Sequence, residues 1–149
     1  MATTCITASC PTWGREEGNL GLLRDALLPR AKDNPEARAL FHRMMGDSYQ
    51  SMATASPEGG YGPRADESYR QALTIARENL SPAHPVRLGI ADHYAVCLHD
   101  TLRESQQAID LARLAIDEAS AGLEALDVSS RKESQLILDS LRDHLKHWT

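Results

Sequence analysis

The chain lacks several features that mark particular classes of protein. Its formal net charge of −5 over 149 residues excludes the broad basic face of a nucleic-acid-binding protein. No apolar run reaches the roughly 20 residues that a membrane-spanning helix needs, and the first residues lack the basic and apolar regions of a secretion signal. The three cysteines follow no pairing pattern, which indicates a reducing compartment and no disulfide framework. These absences predict a cytoplasmic protein without nucleic-acid or membrane partners.

Apolar residues recur at helical spacing along most of the chain, and no stretch alternates convincingly with period two. Asn34 precedes Pro35, a pair that is typical of a helix start. The last helix is predicted from steps of three and four between Leu138, Leu141, Leu145 and Trp148. We therefore predict an all-α antiparallel array of about six helices. It occupies residues 19–149 and follows a flexible tail over residues 1–18, which are rich in Thr, Ser and Gly.

Two further helix starts are predicted from capping-box spacing. Thr101 stands three residues before Glu104, and Ser130 stands three residues before Glu133. In a capping box the hydroxyl and the carboxylate each accept a hydrogen bond from a backbone N–H group at the helix start. The spacing predicts that one helix begins after Thr101 and another after Ser130.

Several strings of the sequence resemble the second half of 14-3-3 proteins. Residues 65–73 are followed by residues 81–89, which match the Pro-Thr-His-Pro-Ile-Arg-Leu-Gly-Leu turn and helix start of that family. Residues 134–149 resemble the last helix of the family, and Gly46 with Asp47 matches part of its Lys-Gly-Asp-Tyr-Tyr-Arg-Tyr motif. The resemblance implies a fold like the C-terminal two-thirds of the 14-3-3 fold. It also implies an adaptor that binds a protein or peptide segment in a concave groove.

The resemblance leaves out the beginning of the family's fold. Members have nine helices, and the first two, with the start of the third, build the dimer and one wall of the groove. Residues 1–18 stand in their place, so the chain is either a truncated, divergent member or lacks an upstream part. Without the first helix the usual dimer interface cannot form. The resemblance therefore implies a monomer or weak dimer that exposes Leu22, Leu23 and Leu27, with a full-length family member as one candidate partner.

The resemblance also assigns a ligand groove whose main positions are altered. Phosphate recognition needs clustered arginines, but Gln50 and Ser51 stand where the family has an Arg-Tyr pair, and Arg43 is the one matching basic residue. His93 and His144 replace two asparagines that hold the main chain of the bound peptide. The remaining groove positions are Asp47, Asp92, Val96, Asp100, Leu136, Ser140 and His147. We expect a degraded phosphate cradle with weak or no phosphate dependence.

The histidines leave open a second hypothesis, a recruited enzyme or a small-molecule binder. Histidine is a common acid–base group, so His93 and His144 would act on a substrate while Asp92 or Asp100 orients an imidazole. No phosphate loop, nucleophile elbow or zinc motif supports an enzyme class. We therefore expect no catalytic residues, no metal and no cofactor. A remnant without independent function is a third alternative.

Overall fold

The computed structural model describes residues 11–149, with side chains from residue 14 onward, and over that range the chain is helical without a strand. Helix α1 (Pro11–Leu22) continues through a π-helical turn (Leu23–Leu27) and a last α-helical turn (Leu28–Arg30). The other helices are α2 (Pro35–Ala55), α3 (Tyr61–Asn79), α4 (Pro85–Val96, extended by a π-helical turn over Cys97–Thr101), α5 (Ser105–Ser120) and α6 (Val128–Trp148). Short 3-10 turns lie at Pro57–Gly59 and Leu123–Ala125. The predicted all-α array of about six helices is confirmed.

Two of the helix starts carry side-chain caps next to a proline. The Asn34 side chain accepts a hydrogen bond from the Ala37 N–H group at 3.1 Å, as predicted, and Pro35 is the first residue of α2. At α4, Nδ1 of His84 accepts from the Val86 N–H group at 3.1 Å, and Pro85 follows it. Both prolines occupy the first turn, where a missing N–H group costs no helical hydrogen bond.

The two predicted capping boxes are wrong. Helix α5 begins after Glu104 without a side-chain cap. Helix α6 begins earlier than predicted, because Asp127 caps it by accepting a hydrogen bond from the Ser130 N–H group at 3.2 Å. Ser130 is therefore a donor within the first turn of α6 rather than its cap, since aspartate is one of the strongest N-cap residues.

Helix α1 begins at Pro11 rather than at residue 19, so residues 11–18 of the predicted tail are helical, and residues 1–10 lie outside the described part. Proline is well suited to the first helical turn, and Leu20 anchors the helix by packing with Met52 of α2. Leu22 is 55% exposed, as expected, but Leu23 is buried at 2%. The predicted leucine patch is therefore wrong for Leu23, which faces the interior.

The core consists of two main clusters that meet at α4. One cluster surrounds the buried Tyr69 of α3 and includes Ile90 and Cys97 of α4 and its π-helical turn. The other joins Leu88 of α4 to residues of α5 and α6, among them Leu138. Helix α4 consequently packs against α2, α3, α5 and α6. Within residues 11–149, no helix combines the length and apolarity that crossing a bilayer requires.

Candidate functional site

Two consecutive residues of α4, Asp92 and His93, pair with different neighbouring helices. Nδ1 of His93 lies 2.9 Å from Oδ1 of Asp47 on α2. Nδ1 of His144 on α6 lies 3.0 Å from Oδ1 of Asp92. Four of the predicted groove residues thus form two imidazole–carboxylate pairs. These pairs connect α2 to α4 and α4 to α6.

Asp47 is the centre of the first pair's network. The buried Tyr69 hydroxyl donates to Oδ1 of Asp47 at 2.5 Å, and it also lies 3.1 Å from Oε1 of Gln50. Burial, reinforced by the Asp47 charge, raises the pKa of Tyr69 far above the ordinary value of a phenol. Tyr69 is therefore a neutral donor. Gln50, whose Oε1 it contacts, stands at the position where the resemblance implies an arginine.

Arg43 is held inside this network. Its Nη1 lies 3.1 Å from Nε2 of His93, and its Nε lies 3.9 Å from Oδ2 of Asp47. A guanidinium group only donates, so Nε2 of His93 accepts, and its Nδ1–H group donates to Asp47; the network assigns the neutral tautomer of His93. The Arg43 side chain is 24% exposed. The charge that the sequence offers for a phosphate is thus already engaged by two other groove residues.

The second pair is stabilised by a stack of rings. The His144 ring stacks on Trp148 with centroids 5.2 Å apart and planes 9° apart. His99 stacks on Trp148 as well, with centroids at 4.7 Å. Nδ1 of His99 lies 2.6 Å from Oδ1 of Asp100. Asp100 is therefore paired with His99 and not with His93 or His144, which pair with Asp47 and Asp92.

The sequence model of the 14-3-3 protein family matches residues 16–149. The chain belongs to the 14-3-3 family. It is 39% identical over 133 residues to a 14-3-3 protein of Eimeria tenella, covering 87% of this chain and 48% of that protein. Identity to 14-3-3 protein zeta of Bombyx mori is 36%, covering 87% of this chain and 53% of that protein. A 14-3-3 protein homolog of Neospora caninum is 37% identical, covering 87% of this chain and 50% of that protein. The chain thus spans about half the length of the curated relatives that it matches.

In this 14-3-3 chain, the histidines are not arranged as in a nucleophilic enzyme. Ser140 donates to Oδ2 of Asp92 at 3.1 Å, so the carboxylate lies between the hydroxyl and His144. In a serine–histidine–aspartate triad the imidazole lies between the other two groups. Burial, followed by the charge of Asp66, raises the pKa of the Cys97 thiol to about 12, so Cys97 is a protonated core residue. No group of three potential metal ligands occurs within residues 11–149.

The other predicted groove positions of the 14-3-3 chain differ in exposure. Leu136 is 71% exposed on α6, and Val96 on α4 is partly buried. His147 is exposed, with Nδ1 at 2.8 Å from the Asp143 carbonyl oxygen. Ser51 is exposed on α2, where its side chain lines a cleft against α1.

Sequence reasoning missed this cleft, which has a volume of about 370 Å³. Helix α1 contributes apolar and polar side chains to it, and α2 contributes Arg43 and Asp47 of the groove. The lining residues are Glu16, Asn19, Leu22, Leu23, Leu27, Arg43, Met44, Asp47, Ser48 and Ser51. Glu16 lies in the segment that was predicted to be a tail. No apolar period in residues 11–18 signals this helical segment; the local signal is Pro11, a residue suited to the first helical turn.

Proposed function

We propose that the chain is a protein-interaction adaptor. It binds a partner's peptide segment along the face formed by α2, α4 and α6, with little or no dependence on phosphate. Membership of the 14-3-3 family supports the adaptor role. The observation that carries the phosphate independence is the engagement of Arg43 by His93 and Asp47.

A phosphate group on a partner would meet an unfavourable electrostatic environment. It carries nearly two negative charges and is bound well only by several charge-assisted donors. At Arg43 it would lie beside the Asp47 carboxylate, and the guanidinium would have to leave Nε2 of His93. Gln50 and Ser51 offer neutral hydrogen bonds only. Most of the affinity would therefore come from main-chain and apolar contacts.

The leucine exposure supports a monomer or weak dimer, and we propose a cytoplasmic location for the chain as a separate expectation. Of the three leucines expected to form an exposed patch, Leu23 is buried, Leu27 is partly buried and Leu22 is 55% exposed. A stable interface buries about 800 Å² on each partner, far more than one leucine supplies. A full-length relative is one candidate partner. Sedimentation at micromolar concentration tests this proposal, and a stable dimer would contradict it.

The adaptor proposal is tested by calorimetric titration with a phosphoserine peptide of the family's arginine-rich type and with its unphosphorylated twin. We expect the two dissociation constants to agree within about threefold, which corresponds to less than ~0.7 kcal/mol. Phosphate-dependent tightening of about a hundredfold or more, ~2.7 kcal/mol, would show that a working phosphate cradle is present and would overturn the proposal.

A further inference from the structure

We infer that the groove selects a partner segment carrying a long basic side chain, arginine or lysine. The basic head group binds at Asp92 and its aliphatic stem lies on Leu136. The inference rests on the proposed adaptor function and specifies the chemistry of the segment that the adaptor binds.

The carboxylate of Asp92 has hydrogen-bond donors but no cationic side chain of Arg or Lys beside it. Its two oxygens accept from His144 and Ser140, and its side chain is 16% exposed. Within the described residues, no arginine or lysine nitrogen forms an ion pair with Asp92. When the imidazole is uncharged, it and the hydroxyl solvate the carboxylate as neutral donors without cancelling its charge. A ligand cation gains more electrostatic binding energy beside this carboxylate than beside a fully hydrated one. The reason is that the partly buried surroundings screen charges less than water does.

Asp47, which pairs with His93, serves as an internal comparison, whereas the third groove carboxylate, Asp100, pairs with His99 and is 59% exposed. Arg43 lies 3.9 Å from Asp47 and partly offsets its charge. Arg142 of α6, the helix that carries Ser140 and His144, is paired with Asp139 at 3.1 Å. Between Asp47 and Asp92, Asp92 is therefore the one that has no arginine or lysine partner within the described residues.

Leu136 supplies the second half of the site. It lies one helical turn before Ser140 on α6, so the two side chains share a face, and Ser140 contacts Asp92. Leu136 is 71% exposed. Arginine and lysine characteristically lay their methylene stems on apolar surface while the charged head reaches a polar group. One ligand side chain can therefore contact both Leu136 and Asp92, whereas an acidic side chain would place two negative charges together.

The test uses a short capped peptide that contains arginines in an alanine–glycine background, and a twin in which citrulline replaces each arginine. Citrulline keeps the stem and shape of arginine without its charge. Binding to the isotopically labelled chain is followed by NMR at a pH above the range in which histidine titrates. We expect the arginine peptide to bind about fivefold to tenfold tighter, with the largest shifts at Asp92, Ser140 and His144.

Three variants locate the effect. Asp92→Asn should abolish the preference for arginine, and Asp117→Asn, at an exposed aspartate of α5, should keep it. Leu136→Lys should also abolish it by placing a cation of the chain itself beside Asp92. Because Leu136 is exposed, this variant leaves the core intact and keeps the test valid if Asp92→Asn unfolds.

Equal binding of the arginine and citrulline peptides, or a preference that survives both Asp92→Asn and Leu136→Lys, would overturn the inference. Failure of the proposed function is a different result. It would appear as strong phosphate-dependent binding of the phosphoserine peptide.

Discussion

Nδ1 of His93 lies 2.9 Å from Oδ1 of Asp47, and Nε2 of the same ring accepts from Arg43 at 3.1 Å. One imidazole thus bridges a carboxylate and a guanidinium of α2. In a groove that binds phosphate, arginine side chains converge on the ligand. Here the arginine is part of an internal network that stabilises the contact between α2 and α4.

The Tyr69 hydroxyl is predicted to contribute measurably to stability. Tyr69→Phe removes a buried donor to Asp47 and leaves that carboxylate with fewer hydrogen bonds. The free energy of unfolding should fall by about 1.5–3 kcal/mol, the range for hydrogen bonds to charged groups. Tyr49→Phe is the matched control, because the Tyr49 hydroxyl makes no hydrogen bond within the described residues. Equal stability of the two variants in urea unfolding would show that the Tyr69–Asp47 contact does not stabilise the fold.

Gly46 is predicted to be required by the close approach of α2 to α3. A Cβ atom at Gly46 would lie 2.8 Å from the Tyr69 ring, so Gly46→Ala forces the buried ring to shift. We expect a net loss of about 1–2 kcal/mol, because overpacking outweighs the helix preference of alanine. Gly18 of α1 has open space at its Cβ position, and Gly18→Ala should stabilise the protein by about 0.5–1 kcal/mol. A thermal melt of each variant measures both effects, and a stabilised Gly46→Ala would contradict the packing described here.

Stability is predicted to fall in alkali. Burial, assisted by the hydrogen bond to Asp66, raises the pKa of Tyr94 to about 12 from an ordinary 10.0. Because the unfolded phenol ionises first, the unfolded state loses protons before the native state does, and the free energy of unfolding decreases as the pH rises from about 10 to about 12. The Cys97 thiol, whose pKa is raised from 9.0 to about 12, adds a further decrease in the free energy of unfolding. This decrease begins at a lower pH than that of Tyr94. Urea unfolding across this range should show a shallower decrease for Tyr94→Phe, whereas an unchanged slope would exclude the Tyr94 contribution.

Restoring the Arg-Tyr pair of the family is predicted to recover little phosphate affinity. In a Gln50→Arg, Ser51→Tyr variant the new guanidinium lies near Asp47, since residue 50 shares the Tyr69 hydroxyl with that carboxylate. Arg43 remains held by His93. We expect a gain of less than about tenfold, ~1.4 kcal/mol, for a phosphoserine peptide over its unphosphorylated twin. Adding His93→Asn removes the imidazole acceptor of Arg43 and should raise this gain further. Full recovery of phosphate-dependent affinity without His93→Asn would contradict the conclusion that His93 holds Arg43 away from the ligand.

The sequence predicts the helices well where local signals are strong. Asn34 with Pro35 marks the start of α2. The start of α1 at Pro11 was missed, because residues 11–18 carry no apolar period and the helix depends on the packing of Leu20 against α2. The capping-box spacing of Ser130 and Glu133 misplaces the start of α6, because Asp127, three positions earlier, caps the helix.

The site was predictable in its residue types but not in its pairings. The resemblance marks positions 50, 51, 93 and 144 as altered. It does not show that His93 pairs with Asp47 while its neighbour Asp92 pairs with His144. Adjacent residues of a helix point about 100° apart, so their partners depend on how three helices pack. That packing is a tertiary property that spacing along one helix does not specify.

NMR of the Arg43 side-chain Nε–H group, followed during titration with a phosphoserine peptide, measures the engagement of Arg43 directly. The signal is assigned as the one that disappears in Arg43→Lys. The Nε atom is buried, without a hydrogen-bond acceptor in the described part of the chain, so its signal reports any rearrangement of the guanidinium. We predict that the phosphoserine peptide and its unphosphorylated twin shift the Arg43 signal equally, while the exposed Arg113 of α5 serves as a reference outside the groove. A saturable Arg43 shift that only the phosphoserine peptide produces would show that Arg43 leaves His93 and binds phosphate.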